Sequence, residues 1–216
     1  MTRRATSGWG DGIVPSYDAI AEEYAATYFD ELDGKPFDRA ILDRFAASVQ
    51  GRGRVCDLGC GPGQIARYLA ARGVDAFGID ASAGMVATAR RLTPALEFRQ
   101  GDFFALDPAD GALAGIAAFY SLIHCERGAL ARALGEIRRV LAPGGRLLMA
   151  VHAGEGEVTR EEAYGKRTAL VATLFSEKEV RHGLESAGLT LDELTQRPPY
   201  DFEYPSTRIY TIATRH

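Results

Sequence analysis

The stretch VCDLGCGPGQIARYLA at 55–70 sets three glycines within five positions, between an apolar run and an amphipathic one. Glycine loses more conformational freedom on folding than any other residue. A cluster this dense is kept where the backbone must turn through left-handed conformations or let another group come close. A turn that leaves a strand and opens a helix is also where an open α/β sheet receives its ligand. Pro62 suits the first helical turn, where its missing N–H has no partner to lose.

Downstream, short apolar runs alternate with longer amphipathic ones. Strands are predicted at 54–58, 75–79, 96–100, 116–122, 145–152, 189–195 and 208–214, and helices at 17–30, 37–49, 62–71, 82–91, 126–141 and 176–186. Strands separated by helices pair in parallel through crossovers. The expected class is therefore α/β, a mostly parallel doubly wound sheet with helices on both faces. The last two strands have only RPPYDFEYPS between them, which predicts an antiparallel hairpin at one edge. At 216 residues, a single domain over 1–216 is expected. The segment up to Pro15 carries positive charge without an apolar run and is expected to be frayed.

Spacing narrows the ligand. A dinucleotide fingerprint, G-x-G-x-x-G, needs a third glycine where this chain has Gln64, and a P-loop needs a G-K-[ST] that does not follow. What remains is DLGCGPG, with Asp57 just before the loop. That carboxylate would repel a pyrophosphate and favour a ligand bearing an ammonium or sulfonium group. Asp80 closes the second strand about twenty residues on, where a carboxylate can accept from two ribose hydroxyls. Asp102 closes the third, placed to meet the amino edge of a purine, with the Phe103 backbone beside it. Taken singly, Asp80 and Asp102 also read as cap or turn residues.

DLGCGPG, GID, GDFFAL, FYSLIHCERGAL and RVLAPGGRLLMAV, in that order, resemble the successive motifs of class I S-adenosylmethionine-dependent methyltransferases over residues 17 to 152. The resemblance implies a seven-stranded sheet in the order 3-2-1-4-5-7-6 with strand 7 antiparallel, in agreement with the terminal hairpin. It implies S-adenosyl-L-methionine as cofactor, with Gly59, Gly61 and Gly63 against its methionine part and Asp57 helping to place its amino group. By the same resemblance Asp80 would hold the ribose hydroxyls, Asp102 the adenine amino group, and Met85 would cover the adenine face. Gly115 stands where the fourth motif often has an acid, and Ala83 where a proline often follows the second; neither touches an implied contact.

Methyl transfer asks a protein for alignment and water exclusion more than for covalent help, and for a base only when the acceptor arrives protonated. His124 ends SLIH just after the fourth strand, which in that family lies beside the transferring methyl. It is the candidate catalytic residue, as base or substrate positioner, with a purely hydrogen-bonded role as the alternative. Tyr120 and Ser121 share that strand end as cofactor or substrate contacts, and His152 ends the fifth strand at the same face as a candidate substrate residue. Tyr17, Ala21, Tyr24 and Tyr28 fall on one helical stripe, which by itself reads as packing against the core. The resemblance makes 15–50 an N-terminal lid, with Tyr17 toward the cofactor and Tyr24 and Tyr28 toward the substrate. The segment 153–175 lacks a firm period and is read as a second lid part. Arg208 would suit a carboxylate-bearing substrate; a surface ion pair is its alternative.

Other partners are argued against. The formal net charge is −4, there is no broad basic stripe, and no N/D-P-P-Y/F run follows the fourth strand, so nucleic acid is not expected. RPPY at 197–200 falls between the last two strands instead. No apolar run of about twenty residues points to a membrane. Cys56, Cys60 and Cys125 form no C-x-x-C pair and read as buried thiols in a reducing, cytoplasmic setting, without a metal. The expected partner is a small organic molecule methylated on oxygen, nitrogen or carbon, and the expected state a monomer or homodimer. Two rivals stand beside this: an inactive cofactor-binding partner subunit, whose pocket beyond His124 would be filled, and an NAD-dependent oxidoreductase.

Overall fold

Residues 12–216 are described by the structure, a computed structural model. All four residues of β1 (Val55–Leu58) are buried, as a strand covered on both faces must be. It pairs in parallel with β2 (Ala76–Asp80) on one side and β4 (Leu113–Phe119) on the other. β3 (Glu97–Gln100) extends the sheet beyond β2, and β5 (Leu141–His152) beyond β4. β9 (Arg208–Thr214) runs antiparallel between β5 and β8 (Thr190–Arg197). The order β3-β2-β1-β4-β5-β9-β8 is the expected one, once β6 (Glu157–Ala163) and β7 (Lys166–Thr173), which pair only with each other, are set aside. The winding reverses between β1 and β4, and such a reversal opens a crevice at the carboxyl ends of the strands.

Helices cover both faces. α5 (Leu130–Val140) buries Leu130, Ala133, Leu134, Ile137 and Val140, a 3.6-residue stripe, beside α6 (Glu177–Ser186) and the Leu147 and Met149 side of β5. α2 (Pro36–Val49) and α3 (Gln64–Ala70) pack Phe45, Val49, Ile65 and Leu69 against Val55, Leu148 and Tyr210 on the other face.

The boundaries differ from expectation in several places. The fourth strand, read as 116–122, is β4 and ends at Phe119, with a 3₁₀ turn at Leu122–His124. The helix read as 126–141 is α5 preceded by a 3₁₀ turn at Arg127–Ala129, and Leu141 already opens β5. The first helix, α1 (Ile13–Tyr28), starts before Pro15, because a proline in the first turn gives up no hydrogen bond; the rest of the segment expected to fray, 1–11, lies outside the described residues. The aperiodic segment 153–175 is mainly the β6–β7 hairpin. Its register shifts between Arg160 and Glu162, which breaks the alternation that marks a strand in sequence. Tyr164 and Gly165 join the strands with φ of 53° and 71°, both positive as a two-residue primed turn requires.

α1 is fastened on two sides. Asp18 Oδ1 accepts from Ser82 Oγ at 2.6 Å and from the Gly84 amide at 2.8 Å, at the start of α4 (Ala83–Leu92). From the hairpin, the Ala169 amide donates to Ser16 Oγ at 2.8 Å, and Lys166 donates to the Ala19 carbonyl and pairs with Glu23, both at 2.6 Å. No helix among the described residues is long and apolar enough to cross a membrane.

Candidate active site

The glycine loop is set by its backbone. Gly59, Gly61 and Gly63 have φ of 69°, 50° and 88°, conformations that cost a side-chain-bearing residue about 1–2 kcal/mol. Gly59 and Cys60 donate their amides to the Ile79 carbonyl of β2 at 2.7 and 3.0 Å. The loop is thereby held against the end of β2, where Asp80 accepts from the Gly61 amide on Oδ2 and the Ser82 amide on Oδ1, each at 2.8 Å. Burial raises Asp80 to about 6 despite those amides, and no cation pairs with it among the described residues.

One cavity of about 730 Å³ opens above these strand ends. Tyr17, Gly59, Gly61, Asp80, Met85, Phe103, Tyr120 and Ser121 line it, as do Tyr24, Tyr28, His124, His152 and Arg208. Asp57, Gly63 and Asp102 do not. Asp57 points behind the loop, its Oδ2 accepting from the Ala66 amide at 2.9 Å in the first turn of α3, and burial pushes its pKa up to about 7. Gly63 faces Phe98, whose ring a Cβ there would meet at 2.7 Å. Asp102 Oδ1 accepts from the Phe104 amide at 2.9 Å, fixing the turn after β3.

His124 is half-buried with both ring nitrogens engaged, Nδ1 2.7 Å from the Val171 carbonyl and Nε2 2.7 Å from the Tyr17 hydroxyl. A carbonyl only accepts, so Nδ1 carries the proton and Nε2 accepts from Tyr17. Burial lowers the pKa of His124 and raises that of Tyr17, which keeps both neutral. The pair joins α1, the end of β4 and the hairpin at one point. Tyr17→Phe removes one bond from this half-buried group and should cost about 1 kcal/mol; an unchanged thermal unfolding midpoint would show that the bond contributes nothing.

The far end of the cavity carries residues that motif reading missed. Arg208 is buried, not at the surface: it is 3% exposed and 3.4 Å from Glu203. Glu203 also meets Lys35 at 3.2 Å and Arg197 at 2.9 Å. Arg197 reaches Asp38 at 3.2 Å, and Tyr210 donates to Asp38 at 2.9 Å. Tyr120 stands beside this cluster, its hydroxyl 2.8 Å from that of Tyr210. Phe202 and Tyr204, in the loop between β8 and β9, cover the opening. The aromatics of RPPYDFEYPS were the signal available for this wall. Gln64 and Ser121 also line the cavity, and their Oε1 and Oγ are buried without a hydrogen-bond partner. The three cysteines are buried and unpaired, and no group of three or more His, Cys, Asp or Glu among the described residues could hold a metal.

Residues 55–145 match the methyltransferase domain family. A demethylmenaquinone methyltransferase of Beutenbergia cavernae is 33% identical over 159 residues, 74% of this chain and 62% of its own length. A trans-aconitate 2-methyltransferase of Methylobacterium nodulans is 35% identical over 155 residues, 64% of this chain and 58% of its own. The chain thus spans about three-fifths of the length of either relative. The solved S-adenosylmethionine-dependent methyltransferase of Methanosarcina mazei shares the fold with a TM-score of 0.72 at 19% identity, over 80% of this chain and 96% of that one. With the glycine loop, the strand order and these likenesses in agreement, residues 55–145 belong to the methyltransferase domain family and the chain has the fold of S-adenosylmethionine-dependent methyltransferases.

Proposed function

We propose that the protein transfers the methyl group of S-adenosyl-L-methionine to a small organic acceptor. The observation that carries this reading is a single cavity with bare glycine backbone and a half-buried, cation-free carboxylate at one end and an aromatic, charged wall at the other. Its volume, about 730 Å³, lies within the ordinary range for small-molecule sites, about 300–1,000 Å³. The named substrates of the two relatives, demethylmenaquinone and trans-aconitate, are small molecules as well.

The residues present fit the donor. Each Asp80 oxygen accepts one backbone amide and keeps a lone pair for a ribose hydroxyl. Met85 and Phe103 line the adjoining wall and would cover the base, while Gly61 admits the methionine part without a Cβ in the way and Gly59 packs on Ser121. The unpartnered Gln64 Oε1 and Ser121 Oγ give its charged end polar contacts. When bound, the donor supplies a methyl already activated by a sulfonium. Asp57 then supports the loop from behind, through α3, and Asp102 shapes the turn after β3.

The remaining task is alignment and exclusion of water. α1 and the β6–β7 hairpin form the two parts of the lid, and Tyr24 and Tyr28 face the acceptor. His124 acts on the site through Tyr17, as a positioning residue of the closed lid. The cavity continues past His124 to Arg208, which favours an enzyme over an inactive partner subunit. Buried thiols fit a reducing cytoplasm, where the protein would work as a monomer or homodimer.

Calorimetric titration with S-adenosylhomocysteine tests the reading. Asp80→Ala should weaken binding by about 1–3 kcal/mol, the scale of charged hydrogen bonds, or about 5- to 150-fold. Unchanged affinity would remove Asp80 from the ribose role, and binding of NAD but not of S-adenosylhomocysteine would overturn the function.

A further inference from the structure

Along the carboxyl edge of the sheet the cavity passes Asp80 of β2, the glycines after β1 and Tyr120 after β4, and reaches His152 of β5 and Arg208 of β9. The donor contacts described above occupy the first half of that path. An acceptor therefore meets the second half, where the two cavity histidines differ in what their nitrogens do.

Both nitrogens of His124 are spent on Val171 and Tyr17. His152 uses only Nδ1, 2.8 Å from Ser206 Oγ, and its Nε2 makes no hydrogen bond among the described residues. When the Ser206 hydroxyl accepts from Nδ1–H, Nε2 is left with a free lone pair. Burial and the charge of Arg208 push His152 down to about 4, so the ring is uncharged near neutral pH. Its ring centroid lies 5.1 Å from that of Tyr120, the planes tilted by 33°, and 6.0 Å from that of Tyr204, at 72°. These spacings belong to aromatic stacking, and a flat acceptor ring extends such a set.

Two cations stand at this end. Arg208 and Lys35 both line it, with Glu203 between them, and Lys35 also pairs with Glu31 at 2.5 Å. Glu203 is shared among Lys35, Arg197 and Arg208. Arg208 Nε is buried and makes no hydrogen bond, its nearest carboxylate oxygen being Glu203 Oε2 in an ion pair at 3.4 Å.

Resting on the donor reading above, we propose that the acceptor is a planar ring compound with an ionisable hydroxyl, a phenol or enol, and that His152 Nε2 takes its proton during transfer. The hydroxyl oxygen forms its bond to the methyl carbon as the carbon–sulfur bond breaks and its electron pair returns to sulfur. The O–H proton passes to Nε2, so one positive charge leaves the sulfonium and appears on the imidazole. The products are a methyl ether, a neutral thioether and a protonated His152, which then loses its proton to solvent. Arg208 and Lys35 favour the partial negative charge on the oxygen before the new bond is complete.

The first measurement needs no turnover. With histidine labelled in nitrogen-15, the four histidines of the chain give few enough signals to assign His152 by its loss in His152→Gln. Binding of 4-nitrophenol to the protein saturated with S-adenosylhomocysteine should shift the His152 Nε2 resonance and leave His124 in place. The second measurement is initial rate with phenols of graded acidity. His152→Gln should lose about 100-fold or more with weakly acidic phenols, the scale of general-base catalysis, and less than about tenfold with phenols already ionised in solution. A shift at His124 alone, a loss independent of phenol acidity, or no binding or turnover of any phenol while S-adenosylhomocysteine binds would overturn the proposal. Failure of S-adenosylhomocysteine to bind at all would instead strike the donor reading beneath it.

Discussion

Gly59→Ala should lose about 2–5 kcal/mol of stability, while its neighbour Gly61→Ala folds and binds the donor more weakly. A Cβ at Gly59 would lie 2.2 Å from the Ser121 Cβ, and the backbone there has φ of 69°. Overpacking of about 1–3 kcal/mol adds to left-handed strain of about 1–2 kcal/mol. A Cβ at Gly61 meets only Tyr24 Cε1, at 3.8 Å, so the strain is its main structural cost. That carbon would intrude where the donor is proposed to lie. Chemical denaturation should therefore single out Gly59→Ala, and titration with S-adenosylhomocysteine should find Gly61→Ala weaker by about tenfold, or about 1.4 kcal/mol. Wild-type affinity in Gly61→Ala would mean that the donor does not rest on this backbone.

Arg197→Ala should cost about 3–5 kcal/mol, the penalty for leaving buried charges without their partner. Its side chain is 8% exposed and its partners Asp38 and Glu203 are 1% and 5% exposed. Arg44, paired with Glu193 but 57% exposed, is the control: Arg44→Ala should cost less than about 1 kcal/mol. Equal losses in the two variants would deny the buried group any structural role. The acid side has a definite sign. Burial raises Glu203, but its bonds from Arg197 and the Tyr200 amide, with Lys35 and Arg208 near, hold it down at about 2. Its unfolded value is about 4.3, so its contribution is complete above that value and is lost as pH falls through about 2. Arg197→Ala removes much of that depression and should move acid unfolding to higher pH.

The line between what sequence disclosed and what it withheld follows the range of the interactions. DLGCGPG announced itself because a glycine turn is local, and parallel pairing followed from strands spaced by helices, while the strand order came with the family resemblance. The β6–β7 hairpin stayed hidden because its register shift at 160–162 destroys the two-residue period, although Tyr-Gly between two runs was a turn signal. Asp57 and Asp102 read as ligand contacts by position, yet position along a strand end does not say which way a carboxylate turns; each was taken by a backbone amide close by. The charged wall was out of reach for the opposite reason: Asp38 and Arg197 are 159 positions apart, and only the antiparallel return of β9 brings them together. Gln64, which sequence used only to reject a dinucleotide site, proved to be part of the cavity wall.

The hairpin tip has a consequence for anyone who sets out to make this protein hardier. A two-residue primed turn is best served by Asn-Gly, but this chain keeps Tyr164, with φ of 53°, where its ring borders the cavity. A directed-evolution screen that rewards heat resistance alone would be drawn to asparagine there, relieving the backbone and stripping away part of the roof. Durability and substrate capture pull in opposite directions at this one codon, so a campaign at position 164 should select on both.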